Sequence, residues 1–454
     1  MMQLTVERIA EFCRGTVIGE KDKVVTNITL DSRQAQQGSM FVAVAGERVD
    51  GHKFVNATYE QGAVCALVEK AEGILGTYIL VDSTLQAIKD IAEGYRKTLK
   101  AKVIGITGSV GKTSTKEMVA SILEQKYKVT KTLGNFNNEI GLPITVFRVQ
   151  EDDDIAILEM GISDFGEMSR LTKIAQPDLC IITNIGQCHL ENLGDRDGVL
   201  KAKTEIFEGL QPQGSVILNG DDDKLRTIND VKGSSPKFFS ASDSGENFCF
   251  AKNIVDKGMD GTEVTLCFSD GETIDVHIPI AGGHMVSNAL AGAIAGKMLG
   301  LNAEEIKAGI ESYQSIAGRN NTIKTEHFTI LDDCYNANPM SMKAAVDIIA
   351  KSKGRKVAIL GDMFELGEEE LQLHGQVGSY AGEKDIDLLL CVGERSKYMA
   401  EEARKSSKGV VLHYNTREEV LKEIAPLLKQ GDTIVIKASH GMGFDKIVEY
   451  LSNI

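Results

Sequence analysis

Gly108-Ser109-Val110-Gly111-Lys112-Thr113 is the segment of this sequence best suited to chemistry. Glycines let the backbone turn tightly, so that successive N–H groups and the N-terminus of a following helix face a polyphosphate. Lys112 can reach the outer phosphates, and the Thr113 hydroxyl can ligate Mg²⁺. The strict Walker pattern wants a glycine five residues before Gly111, and Ile106 stands there instead. The shortened G-x-x-G-K-T form remains, and Thr107 through Thr113 is expected to cradle ATP. The bland alternative is a tight glycine turn with a solvated lysine.

A site that transfers phosphoryl groups also needs a carboxylate to hold the metal, commonly at the end of a neighbouring strand. Glu159, which closes the apolar run DIAILE, stands at such a position. Two further groups follow in order: His189, just after CIITNIG, and Lys203, in the helical stretch KAKTEIF. Taken singly, each has an ordinary reading. A strand-end Glu often caps or is solvated, a lone His is often structural, and a helical Lys usually lies on the surface. Only a pattern that spans them can decide.

The elements that would position these residues are βα throughout. Near-continuous apolar strands (102–107, 154–160, 178–185, 215–219, 356–360, 387–392 and 433–437) alternate with amphipathic helical stretches, the mark of parallel sheets covered on both faces. The stretch 240–280 reads instead as an antiparallel insertion. At roughly 150 residues per domain, 454 residues suggest about three domains. A helix over 85–99 leads into the first parallel strand, and a second break falls near 312–322. The domains are therefore expected at 1–99, 100–316 and 317–454.

Composition narrows the class. Hydrophobic residues make up 42% and charged residues 25%, as in an ordinary globular protein. The net charge of −15 argues against wholesale coating of nucleic acid or an anionic membrane, and suggests a monomer. No apolar run approaches the length of a membrane span, and the first residues lack a basic flank and apolar signal core, so the chain is expected in the cytoplasm. Eight scattered cysteines without a C-x-x-C pair read as reduced structural thiols.

The order GSVGKT, GNFNNEIGLP (134–143), LEMG (158–161), NIGQCHLENLG (184–194) and AKTEIF (202–207) resembles the middle domain of the Mur ligase family. These are ATP-dependent enzymes that join amino acids to UDP-muramoyl peptides, and the shortened phosphate loop is the family's own form. GGHMVSNALAGAIA (282–295) and Gly318-Arg319 resemble its elements around the nucleotide. DDCYNANP (332–339) with Ser341, and LGDMFELG (360–367), are similar to the third domain of the member that joins D-alanyl-D-alanine to UDP-N-acetylmuramoyl-tripeptide. LDSRQAQQGSMFVAVAGERVDGHKF (30–54) resembles a UDP-sugar domain shared within the family. KASHG (437–441) departs from the pattern, with His440 where the family usually places Arg.

The resemblance implies an α/β protein of three domains: an N-terminal UDP-binding domain, a central parallel-sheet P-loop ATPase domain and a C-terminal Rossmann-like domain. It implies a ligase of peptidoglycan synthesis, and so of cell shape and division, using ATP and Mg²⁺. Lys112 would carry phosphate charge, while Thr113, Glu159, His189 and a carbamylated Lys203 would hold Mg²⁺. Neutral imidazole is an unusual ligand for that ion. Asn288, Arg319, Asp333, Tyr335 and Asn336 would contact ATP. Asn135, Asn137 and Asn138 would orient phosphates or the acyl chain. Ser32, Arg33, Asp50 and His52 would bind the UDP substrate; the plainer reading of Asp31-Ser32-Arg33 is a turn with a surface ion pair. The rivals are the diamino-acid-adding relative, which usually carries a late D-N-P-R motif absent here, folylpolyglutamate synthase, which lacks the front domain, and a P-loop ATPase or kinase, which would explain only GSVGKT.

Overall fold

The computed structural model describes residues 2–46, 49–242 and 245–454, so Glu47 and Arg48 of the 30–54 motif lie outside the described residues. The chain divides into two compact units that interleave along the sequence. The first takes the residues up to Thr107, Tyr127–Ile181 and Lys203–Val216; the second takes Gly108–Lys126, Ile182–Ala202 and everything from Ile217 on.

The first unit opens on a five-stranded sheet in the order Thr16–Ile18, Tyr78–Leu80, Cys65–Val68, Ser39–Val42, Asn27–Thr29. Only its Thr16–Ile18 edge pairs antiparallel. Phe41, Val55, Ala66 and Val68 form the core beneath it. The helix Thr84–Arg96 is capped by Ser83, whose hydroxyl accepts the Gln86 N–H. Its spacing buries Ala87, Ile88, Ile91, Ala92 and Tyr95 on one face. Arg96, also buried, donates its Nε to the Ala175 carbonyl at 3.0 Å. The same unit holds parallel strands in the order Val129–Lys131, Ile155–Glu159, Lys102–Thr107, with Glu159 opposite Ile106. Every residue of Ile155–Glu159 is buried, as a strand covered on both faces requires.

In the second unit the strands Lys237–Ser240 and Cys249–Asp256 run parallel, and Cys249–Asp256, Thr262–Phe268 and Thr273–Ile278 then form an antiparallel meander. The meander is the insertion expected over 240–280. A six-stranded sheet follows in the order Asn321–Lys324, Thr329–Asp332, Thr433–Lys437, Lys356–Gly361, Leu388–Val392, Val410–Tyr414, parallel except at its first pair. Apolar clusters cover both faces of this sheet, which is the doubly wound arrangement. The helix Pro339–Lys351 starts at a capping box formed by Asn338 and Ser341, with Pro339 at the first helical position. The Asn-Pro of the YNANP segment is thus a helix start. No helix among the described residues is long and apolar enough to cross a membrane.

Candidate functional site

The phosphate loop is shaped by its glycines and by a second loop that grips it. Gly108 has φ of 149° and Gly111 of 82°, backbone that side chains rarely adopt. A Cβ on Gly108 would stand 1.9 Å from the Thr183 hydroxyl, so nothing larger fits. Gly111 starts the helix Lys112–Leu123 with no side chain capping it, the kind of helix N-terminus that receives anions. Lys112 folds back to donate to the Gly108 carbonyl at 2.9 Å.

The gripping loop is Thr183–Cys188. The Asn184 carbonyl accepts from Ser109 N–H at 3.0 Å, its side-chain oxygen accepts from Val110 N–H, and its amide donates to the Val110 carbonyl. Thr183 donates to that same carbonyl at 2.6 Å. The Ser109 hydroxyl accepts from Gly186 N–H and from the Cys188 thiol. The sequence assigns no role to Thr183 or Asn184, although Asn184 opens the NIGQCHLENLG segment and Thr183 stands directly before it. Thr107, ahead of the loop, has a buried hydroxyl with no partner. Asn288 spends its amide inside the protein. Its oxygen accepts from the Thr115 hydroxyl at 2.9 Å, steadying the helix behind the loop, and its nitrogen faces Met285 sulfur.

A second cluster gathers Arg319, Asp333, Tyr335 and Asn336 in the same unit. The Arg319 guanidinium lies 3.7 Å from the centre of the Tyr335 ring. Its Nε is buried without a hydrogen-bond partner, which suits a negatively charged visitor. His440 approaches the same ring, with centroids 5.4 Å apart. Lys437, only 2% exposed, holds the loop from below: its ammonium donates to Asp333 Oδ2 at 2.6 Å and to the Asp333 and Asn336 carbonyls. KASHG stands out in the sequence for His440, and nothing in its spacing marks this lysine.

His189 also lies in the second unit, in left-handed conformation at φ 51°. Its Nδ1 is buried, and Glu365 Oε2 stands 2.6 Å away, off the line of an ideal hydrogen bond. The contact holds the Glu365 carboxyl below its usual pKa, against the opposing effect of burial.

In the first unit Glu159 is 1% exposed, and its Oε1 accepts from the Asn137 amide at 2.9 Å. Asn138 caps the helix Gly141–Arg148 by accepting from Ile140 and Gly141 N–H, while Asn135 is exposed. Lys203 is 1% exposed, contrary to the surface position a lone helical lysine suggests. Its neighbour Glu205 is committed to Gly166 and Ser169 N–H at the start of the helix Glu167–Ala175.

The front turns are closed on themselves. Asp31 accepts from Arg33 N–H and pairs with its guanidinium, and Arg33 is 86% exposed. This is the ion-paired turn of the plainer reading, and it lowers the Asp31 pKa to about 2, chiefly through the Arg33 side chain. Ser32 opens the short 3₁₀ turn Ser32–Gln34. His52 Nε2 accepts from Glu69 N–H, so Nδ1 carries the proton and donates to Asp50 at 2.6 Å. Both ring nitrogens are thus engaged, and Lys70 adds its ammonium to Asp50. Among the described residues no three carboxylate, imidazole or thiol side chains gather as a metal cage.

Residues 24–126 match the catalytic domain of the Mur ligase family, 106–296 the Mur ligase middle domain and 318–440 the Mur ligase glutamate ligase domain. The chain is 36% identical over 460 residues to the UDP-N-acetylmuramoyl-tripeptide–D-alanyl-D-alanine ligase of Bacillus subtilis, covering 99% of each. This chain belongs to the Mur ligase family. Among solved structures, this Mur ligase is similar to a MurF crystal structure from Acinetobacter baumannii, with TM-score 0.91, 31% identity and full coverage of both chains. It is also similar to the MurF ligase of Thermotoga maritima in complex with ADP, with TM-score 0.82 and 27% identity over 94% of this chain and 97% of that one. The three-domain α/β fold is shared across these Mur ligases.

Proposed function

We infer that this Mur ligase joins D-alanyl-D-alanine to UDP-N-acetylmuramoyl-tripeptide in peptidoglycan synthesis, using ATP to make the amide bond. The observation that carries the reading is the phosphate cradle, with its open helix N-terminus and Lys112, in a chain alike over its whole length to ligases of that name.

A carboxylate does not condense with an amine in neutral water, because oxide is its leaving group. If a carboxylate oxygen of the tripeptide attacks the γ-phosphorus of ATP, ADP departs and an acyl phosphate remains. The dipeptide amine then adds to the acyl carbon, and phosphate leaves as the tetrahedral intermediate collapses and the nitrogen gives up its proton. Positioning and charge neutralisation do most of this work. Lys112 and the uncapped N-terminus of Lys112–Leu123 hold the phosphates, and the unpartnered Arg319 Nε is a further donor for them. Tyr335, Asp333 and Asn336 would meet the base and ribose, seated by Lys437.

The donors present suit Mg²⁺: the Thr113 hydroxyl and the buried Glu159 carboxylate are hard oxygens, and nucleotide phosphates ordinarily supply the rest. When bound, the ion neutralises charge passing between ATP and the substrate. We assign His189 and Lys203 to the same task. An ammonium would be repelled there, whereas a deprotonated Lys203 that takes up CO₂ and releases one proton becomes a carbamate whose two oxygens share a single negative charge. Its burial supports such a role, since taking an ammonium out of water is costly. ¹³C-bicarbonate should give a carbamate resonance in the wild type that disappears in Lys203→Ala, with most activity lost; an unchanged signal moves the role elsewhere. The domain limits proposed are 1–99 for the UDP-muramoyl peptide, 100–316 for ATP, and 317–454 for the dipeptide and adenine side.

The function itself is tested by phosphate release with UDP-muramoyl tripeptides carrying lysine or diaminopimelate, with and without D-alanyl-D-alanine. Release that needs both substrates supports the assignment. ATP turnover indifferent to the dipeptide would return the site to a simple ATPase or kinase.

A further inference from the structure

The loop after the strand Lys356–Gly361 is pinned more heavily than a connection requires. The Asp362 carboxylate accepts from Ser396 N–H at 2.7 Å and from its hydroxyl at 2.6 Å, while the Asp362 carbonyl accepts from Ser439 N–H. Met363 N–H donates to Nε2 of His374 at 2.9 Å, and Phe364 N–H donates to the Ser439 hydroxyl. His374 is fully buried, and since its Nε2 accepts, Nδ1 carries the proton and donates to the Glu370 carbonyl. Three successive residues are therefore fixed. The next, Glu365, stands in left-handed backbone at φ 62°.

What this platform presents is one carboxylate, and what the carboxylate meets is His189. That residue is itself left-handed, so two side-chain-bearing residues accept unfavourable backbone where their side chains meet. The loops touch again two residues on, where a Cβ on Gly367 would lie 3.5 Å from Glu191 N. At 2.6 Å a nitrogen lone pair facing a carboxylate would be repelled, so the buried Nδ1 carries the proton. A neutral ring protonated there has its lone pair on Nε2. A carboxylate behind an imidazole commonly fixes the tautomer and raises the basicity of the other nitrogen in this way.

We propose that Glu365 is a positioning residue for His189: it holds Nδ1–H so that Nε2 offers its lone pair toward the Mg²⁺–nucleotide site. The proposal rests on the reading of His189 as a metal-facing residue. Glu365 falls in the segment matching the glutamate ligase domain and His189 in the segment matching the middle domain. The contact therefore makes the readiness of one domain's imidazole depend on a carboxylate fixed in the other. Glu365 touches no reacting atom, and its effect passes through His189 alone.

The test uses full-length protein labelled with ¹⁵N-histidine, the His189 signals assigned by loss in His189→Asn. Long-range ¹H–¹⁵N correlations should report the Nδ1–H tautomer in the wild type and its loss in Glu365→Ala. Mn²⁺ affinity in the presence of ADP, read from free Mn²⁺ by electron paramagnetic resonance, should fall about tenfold or more in Glu365→Ala. Glu365→Gln, whose amide oxygen can face Nδ1–H from the same place, should keep the tautomer and most of the affinity. A folded Glu365→Ala protein with unchanged tautomer and unchanged Mn²⁺ affinity overturns the proposal. His189→Asn tests the underlying reading separately: unchanged Mn²⁺ affinity there overturns the metal-facing role, whatever Glu365→Ala does.

Discussion

The phosphate loop and the front turns place charged side chains by opposite means. In the loop the backbone does the shaping: Gly108 and Gly111 supply the conformation, Thr183 and Asn184 clamp the peptide groups, and the helix N-terminus is left without a side-chain cap. At Asp31–Arg33 and Asp50–His52 acids shape the turns, and each acid also takes up the basic group beside it. The first arrangement leaves the helix start without a side-chain cap, whereas the second ties each basic group to an acid until something competes. An exposed pair such as Asp31–Arg33 is cheap to open, so Arg33 can exchange its partner for a diphosphate. His52, with both nitrogens engaged, is better suited to holding the Asp50 turn in shape.

That contrast predicts an order of effects. Lys112→Ala should cut turnover by at least about a hundredfold while circular dichroism and the unfolding temperature stay near wild type, because the side chain carries phosphate charge and shapes little. Near-normal turnover in that folded protein would remove the loop from the site. Gly108→Ala should act on stability instead. Its Cβ meets the Thr183 hydroxyl in forbidden space, and the strained backbone alone costs about 1–3 kcal/mol. Gly111→Ala has a nearest neighbour 3.6 Å away, so its unfolding temperature should fall less. Equal losses for the two glycines would show that the Thr183 clamp matters little. The smallest effect belongs to the front: Arg33→Ala should raise KM for the nucleotide-peptide roughly tenfold, one charge-assisted hydrogen bond, and leave KM for ATP unchanged. Equal shifts in both constants would break the assignment of this turn to the sugar nucleotide.

What could be read from the sequence was local. The strand 102–107 and the glycines after it announce a phosphate turn, because φ requirements and apolar runs are written in neighbouring residues. The insertion over 240–280 was legible for the same reason, from its alternation. What escaped were pairings through space. Asn184 grips a loop 74 residues earlier, Lys437 seats Asp333 from 104 residues away, and Glu365 meets His189 across a longer gap still. Nothing in the spacing of a single helical lysine tells that Lys203 is buried; that follows only once the helix is packed. The His52 tautomer likewise depends on the Glu69 N–H, which the DGH motif does not contain.

The central claim is that this Mur ligase activates its substrate as an acyl phosphate held by the phosphate cradle, and an isotope tests it most directly. UDP-muramoyl tripeptide labelled with ¹⁸O in its terminal carboxylate is turned over with ATP and D-alanyl-D-alanine, and the released phosphate is weighed by mass spectrometry. The account predicts one ¹⁸O in each phosphate, because the oxygen that attacks the γ-phosphorus leaves with it. Unlabelled phosphate beside newly formed amide would contradict it.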